Sequence, residues 1–215
     1  MKIGIIGGVS PAAYTNIYSS LCYKYRTITG YYPEIISYSI EISQTEEKNF
    51  IENNLNSSGI ANIQQSLRKA CKLFYENGVG IVTICCNTLS NVFFDIANEY
   101  GFQYIITPVL AVNNFLAGNN TRNLLISTKY TSNNNLFTNV ITLSQEEQKM
   151  VDCFICDKAN GKGNSKYINE IVEKYDVDLV VLGCTDVEEK DIKTKKRIID
   201  SNELLVNECL RYMVI

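Results

Sequence analysis

The chain has 215 residues, 46% hydrophobic and 20% charged, with a formal net charge of −3. That is enough apolar material for one large domain or two small ones, and the slight acidity argues against nucleic acid or an anionic membrane as the main partner, since both need a basic face. Histidine is absent, which removes the usual general base, the Ser–His and Cys–His nucleophile systems and the commonest metal ligand. Acid/base chemistry is left to Cys, Asp, Glu, Lys or Tyr.

Residues 2–6 read as a first strand. Gly7-Gly8-Val9-Ser10-Pro11 is a turn into a helix reaching about Arg26, with Ser10 as N-cap and Pro11 at the first helical position. A second strand follows over Ile35–Ile40, then a short helix near Thr45-Glu46-Glu47. From Ser57-Ser58-Gly59 a longer helix carries Ile60, Ile63, Leu67, Ala70, Cys71 and Phe74 at helical spacing, and Asn77-Gly78 ends it. The apolar strand Ile81–Ile84 leads to Cys86, and a helix spans 91–100.

The pattern then repeats. Tyr104–Thr107 is a strand, Pro108–Leu116 a helix, Asn123–Ser127 a strand, 130–137 a helix and Asn139–Thr142 a short strand. The helix from Ser144 has Glu147 three residues after the cap, a capping box. A Gly/Lys/Asn loop occupies Asp157–Asn164. A helix over 165–175, a strand over Asp178–Gly183, a strand over Arg197–Ile199 and a closing helix over 201–213 complete the chain. Such alternation implies an α/β fold of parallel sheets wrapped by helices. It divides near residue 100 into two similar subdomains, 1–98 plus 201–215 and 99–200, with a cleft between them.

No apolar run approaches the length needed to span a bilayer, and the first residues lack the features of a secretory signal. A cytoplasmic location is expected. The eight cysteines are then expected as free thiols. Cys22, Cys71 and Cys209 fall on helices and read as core. Cys153 and Cys156 form a C-x-x-C without a second pair or a histidine, which argues against a zinc site; at that spacing on a helix they read as packing residues, with a redox role as the alternative.

Two cysteines stand apart. Cys86 lies in Cys85-Cys86-Asn87-Thr88 and Cys184 in Gly183-Cys184-Thr185-Asp186, each where a buried strand runs out into a loop. Functional groups of open α/β proteins collect at such strand ends. An isolated cysteine is most often an inert core residue, but two in matched polar settings suggest two equivalent acid/base groups facing each other. The glycines Gly4, Gly7 and Gly8 do not fit the dinucleotide spacing and no P-loop Lys follows. They read either as a simple strand–helix turn or as a helix N-terminus that offers N–H groups, near Gly8 and Ser10, to a small anion.

Taken together, Ile3-Gly4-Ile5-Ile6-Gly7-Gly8-x-x-Pro11, Cys86-Asn87-Thr88 and Gly183-Cys184-Thr185-Asp186 resemble the aspartate/glutamate racemase superfamily of cofactor-independent amino-acid racemases. The resemblance covers nearly the whole chain, and Asp200-Ser201 looks like its late Asp motif. It implies two flavodoxin-like subdomains, no cofactor, no metal, a homodimer, and a small amino-acid substrate. Cys86 and Cys184 match the two catalytic positions: one, as thiolate, removes the α-proton while the other, as thiol, protonates the opposite face. Gly8, Ser10, Asn87, Thr88, Thr128, Lys158, Thr185 and Asp186 are the expected substrate contacts, with Lys162 and Lys129 as further cations near the cleft.

The chain also departs from that pattern. Many members carry a histidine two residues after the Asn-Thr; here Leu89-Ser90 follows. The arginine that grips a substrate carboxylate in aspartate racemases has no counterpart in Glu41–Lys48, where Glu46 would repel an acidic side chain. The resemblance is therefore to amino-acid racemases rather than to aspartate-specific ones. Hydantoin racemases, maleate isomerases, decarboxylases and a binding protein without turnover are the alternatives.

Overall fold

The computed structural model describes residues 1–52, 57–162 and 166–214. Four parallel strands form the first sheet, in the order β2-β1-β3-β4: β1 Ile3–Gly7, β2 Ile35–Ser39, β3 Ile81–Ile84 and β4 Tyr104–Ile106. Its registers set Ile3 beside both Ile35 and Ile81, and Ile81 beside Tyr104. β1 and β3 are interior strands, and every residue in them is buried. That explains their near-continuous Ile/Val runs, since a strand covered on both faces has no solvent side to mark with polar residues.

The second sheet has three parallel strands in the order β5-β6-β7: β5 Asn123–Ile126, β6 Leu179–Leu182 and β7 Arg197–Asp200. Each half is thus a parallel α/β layer with a cysteine-bearing strand inside its sheet, but the halves differ in strand number. The strand expected at Asn139–Thr142 reduces to one bridge between Leu124 and Ile141.

The chain sequence places Tyr104–Ile106 in the second half. Its hydrogen bonds place it on the edge of the first sheet, beside β3. The crossing from one sheet to the other therefore follows β4 and runs through α5, Pro108–Ala117.

Local chemistry fixes most helix ends. α1, Pro11–Thr29, starts under a Ser10 side-chain cap on the Ala13 amide and stops at Gly30 in the left-handed region, φ 81°. α2 is Gln44–Ile51, α3 is Ser57–Glu76 and α4 is Ser90–Asn98. On α3, Ile63, Leu67, Ala70, Cys71 and Phe74 are buried against the first sheet, as their spacing implies. α6 is only Lys129–Asn133, shorter than the expected 130–137. Asn135 at φ 48° has left the helical region, so the chain turns there.

α7 runs Gln145–Ala159 with the Ser144/Glu147 capping box formed. It takes in residues 157–159, so the expected loop narrows to a turn at 160–162, and its residues 163 and 164 lie outside the described residues. α8 is Lys166–Lys174; the expected first residue of that helix, 165, also lies outside them. α9, Ser201–Met213, returns to the first sheet, where Leu205, Val206, Cys209, Leu210 and Met213 pack with Ile3, Ile17 and Leu21. Among the described residues no helix is long and apolar enough to cross a membrane.

Candidate active site

In the first sheet the chain runs from β1 outward to β2, then returns to the other side of β1 as β3. The loops after β1 and β3 therefore diverge at their carboxyl ends, leaving the crevice where open α/β sheets bind ligands. Gly8 and Cys86 lie on those two loops. Gly8 has φ 108°, and a Cβ there would stand 2.4 Å from the carbonyl oxygen of Ile40, so only glycine lets the β1 loop turn this close to the end of β2. Across the crevice Gly183 ends β6 under similar crowding: a Cβ would stand 2.5 Å from Leu125 Cδ1 and 2.9 Å from Phe137. Cys184 follows at once.

The two cysteines line one small cavity of about 30 Å³ between the sheets. Asn87, Thr88 and Thr128 line it as well, as do Thr185 and Asp186 on the opposite loop. Ile42, Ile51, Leu89 and Ile155 supply apolar wall. The strand ends are tied together across the crevice. Thr88 and Thr128 share a hydroxyl contact at 3.2 Å, Thr185 Oγ1 donates to the Cys85 carbonyl at 3.4 Å, and Ser10 Oγ donates to Asp186 Oδ1 at 2.5 Å. Asn87 Nδ2 donates to Ser201 Oγ at 2.9 Å, while Asp200 caps α9 by accepting from the Asn202 amide. Of the late Asp-Ser pair, Ser201 thus contacts Asn87 while Asp200 starts α9.

Burial governs the thiols. It pushes Cys86 up to about 12, against the pull of the Leu89 and Thr88 amides and the Thr88 hydroxyl. It pushes Cys184 well above the ordinary thiol range, against the amides of Asp186 and Val187. The nearby Asp186 charge raises both, and Cys86 also raises Cys184. Neither thiol is thus shifted toward the acidic range that usually marks a catalytic cysteine: desolvating a thiolate outweighs two amide dipoles. Ser90, which stands where a histidine is common, donates to the Cys86 carbonyl at 3.0 Å as a turn of helix back-bonding.

Several expected contacts fall elsewhere. Gly8 and Ser10 flank Val9, which lines the cavity, but do not line it themselves. Lys158 and Lys162 line an adjoining outer hollow that shares Thr185 and Asp186 with the cavity. Lys158 is engaged there by Asp191 at 2.9 Å and Glu188 at 3.5 Å, so its charge is already matched. Lys129 lines a separate hollow with Asp152 and Cys156. Glu46 points outward, holding Ser43 and Asn62.

The residue missed in the sequence is Glu47, which does line the cavity. Its carboxyl is raised, first by burial and then by repulsion from Asp186. The signal was available, because Glu47 lies one helical turn before the buried Ile51 and so shares its face. Asp186 is likewise raised by burial, offset by the Ser10 hydroxyl and the Lys158 charge.

The remaining cysteines do not line this cavity. Cys85 faces away from the cavity into the core shared by α1 and α9. Cys153 is exposed and Cys156 half-buried, and neither is in a disulfide. Among the described residues no group of three potential ligands could hold a metal ion.

No family model matches the sequence, and no curated protein does. Solved structures do match by fold. An aspartate racemase homologue from Pyrococcus horikoshii superposes with TM-score 0.72 at 24% identity, over 100% of this chain and 99% of its own. A Yersinia pestis protein named as a candidate Asp/Glu racemase gives TM-score 0.77 at 17% identity, over 100% and 99%. A maleate isomerase from Pseudomonas putida gives TM-score 0.60 at 11% identity, over 100% and 93%. The chain carries the two-lobed α/β fold of the aspartate/glutamate racemases, with its own two cysteines at the strand ends that face the cavity between the lobes.

Proposed function

We propose that the chain is a cofactor-independent isomerase that inverts the α-carbon of a small amino acid, with Cys86 and Cys184 as paired bases. The observation that carries this reading is the placement of both thiols on one small cavity, each at the end of an interior strand of a different sheet. Opposed groups of that kind suit proton removal from one face of a carbon and delivery to the other.

In the proposed step the Cα–H bond breaks and its proton passes to the thiolate of one cysteine. The electron pair moves into the carboxylate, giving an enediolate. The second thiol then gives its proton to the opposite face of Cα and becomes the thiolate. Atoms and charge balance, and the reverse reaction exchanges the roles. The hydroxyls of Thr88, Thr128 and Thr185, bonded here to one another, to Thr131 and to the Cys85 carbonyl, would turn to donate to the developing oxyanion, and one such donor is worth roughly a hundredfold or more in rate. Burial raises both thiols, so forming a thiolate here calls for a favourable charge beside it. A bound ammonium group favours that ionisation by its charge.

The maleate isomerase fold neighbour supports a second reading, isomerisation of an unsaturated dicarboxylate. A cavity wall with Glu47 and Asp186 and, among the described residues, no Lys or Arg weighs against two substrate carboxylates. A cytoplasmic homodimer belongs to the same proposal and is checked by sedimentation.

Proton NMR in heavy water tests the main reading. The reduced protein, without added cofactor, is incubated with amino acids of both hands and with maleate. Loss of an α-proton signal that Cys86→Ser and Cys184→Ser each abolish is the expected result. Turnover of maleate with no α-proton exchange would replace the racemase reading with the isomerase one.

A further inference from the structure

We propose that Glu47 and Asp186 form a seat for a positively charged amine in the cysteine cavity, which therefore takes monocarboxylic amino acids, with neutral or basic side chains, in preference to dicarboxylic ones. The choice of amino acids as the ligand class rests on the racemase reading above.

The charges on the cavity wall are one-sided. Glu47 reaches it from α2 and Asp186 from the loop after β6, and among the described residues no Lys or Arg lines it. Lys158, whose charge partly offsets Asp186, lines the outer hollow instead and is held by Asp191 and Glu188. Glu47 and Asp186 each feel burial, and Glu47 also feels Asp186. A cation between them relieves that repulsion, whereas a further carboxylate adds to it.

Asn87 provides an independent sign. It lines the same cavity and is 1% exposed. Its Nδ2 is spent on Ser201 Oγ, and its Oδ1 has no hydrogen-bond partner among the described residues. A buried acceptor left without a donor costs stability and calls for an explanation. An ammonium group, with three N–H donors and no acceptor, supplies what this wall lacks. The Thr88, Thr128 and Thr185 hydroxyls must leave their present partners to serve even one carboxylate, which leaves a second carboxylate poorly matched among the described residues.

The test is calorimetric titration of the intact, reduced protein with both enantiomers of alanine, lysine, aspartate and glutamate. Alanine or lysine is expected to bind, with aspartate and glutamate roughly tenfold weaker or more. Glu47→Gln and Asp186→Asn, checked for folding by circular dichroism, should each weaken that binding by roughly tenfold and narrow the gap to aspartate. Equal or tighter binding of the dicarboxylic acids overturns the proposal. So does unchanged affinity for alanine and lysine in both variants, or binding of none of the four. The heavy-water experiment separates the two ideas: exchange with aspartate that depends on Cys86 keeps the racemase reading and sinks the amine seat, whereas selective binding of alanine or lysine without exchange does the opposite.

Discussion

Ser10 Oγ donates to Asp186 Oδ1 at 2.5 Å, joining residues 176 positions apart and fastening the first loop of one sheet to the cysteine loop of the other. The same oxygen caps α1 by accepting from the Ala13 amide at 3.1 Å. One hydroxyl thus starts a helix and closes the crevice.

Ser10→Ala removes both contacts. The lost cap alone is expected to cost about 1 kcal/mol, and the cross-lobe bond adds to it. Urea denaturation should register a total of roughly 1–3 kcal/mol. A loss within experimental error would mean that neither bond matters in solution.

Adjacent cysteines should behave differently. Cys85 lies in the core with Ile3, Ile5 and Cys209, while Cys86 lines the cavity. Cys85→Ser buries a hydroxyl among apolar side chains and should destabilise by about 1–3 kcal/mol, leaving proton exchange within a few-fold. Cys86→Ser should do the reverse. Similar activity losses in the two variants would contradict the assignment of Cys86.

Thiol labelling at neutral pH should be uneven. Cys153 is exposed, whereas Cys86 and Cys184 are buried and raised by burial. Only a thiolate reacts quickly. Mass-spectrometric mapping after brief iodoacetamide treatment is expected to find Cys153 modified and both cavity cysteines spared. Rapid modification of Cys86 would show that the cavity is more open, and its thiol more acidic, than the structure has it.

Stability should also rise on mild acidification. Asp152 and Asp200 are pushed up to about 6, in both cases first by burial. A carboxyl raised in the folded state takes up its proton more readily there than when unfolded. Its contribution is thus present in full below the unfolded value, and is lost as pH rises through about 6. Thermal melts should therefore improve between pH 7 and pH 5 on account of these two groups. Asp152→Asn keeps an Oδ1 acceptor for the Lys129 and Gln148 donors and should flatten that slope. An unchanged slope would place the pH dependence elsewhere.

Much of this was legible in the chain. The apolar runs of β1, β3 and β6, the Ser10-Pro11 and Ser144/Glu147 helix starts and the two cysteine motifs were each visible within about ten residues. They could be read because strand burial, helix capping and turn chemistry depend on near neighbours. The C-terminal part of 130–137 was misjudged because Asn135 leaves the helical region, which a polar Asn run does not signal by itself.

Local order did not reveal which neighbour each residue would meet. Tyr104–Ile106 reads as a strand in either half, and only its pairing with β3 assigns it. Glu46 and Glu47 are adjacent carboxylates, yet the turn of α2 aims one at solvent and the other into the cavity. Lys158 reads as a substrate contact until Asp191 and Glu188 arrive from 33 and 30 residues away. The sequence by itself determined the elements, their caps and the two thiols at strand ends. Only the tertiary structure decided which charges face the cavity and which way its thiols ionise, because desolvation and charge pairing depend on distances in space that the order of residues does not contain.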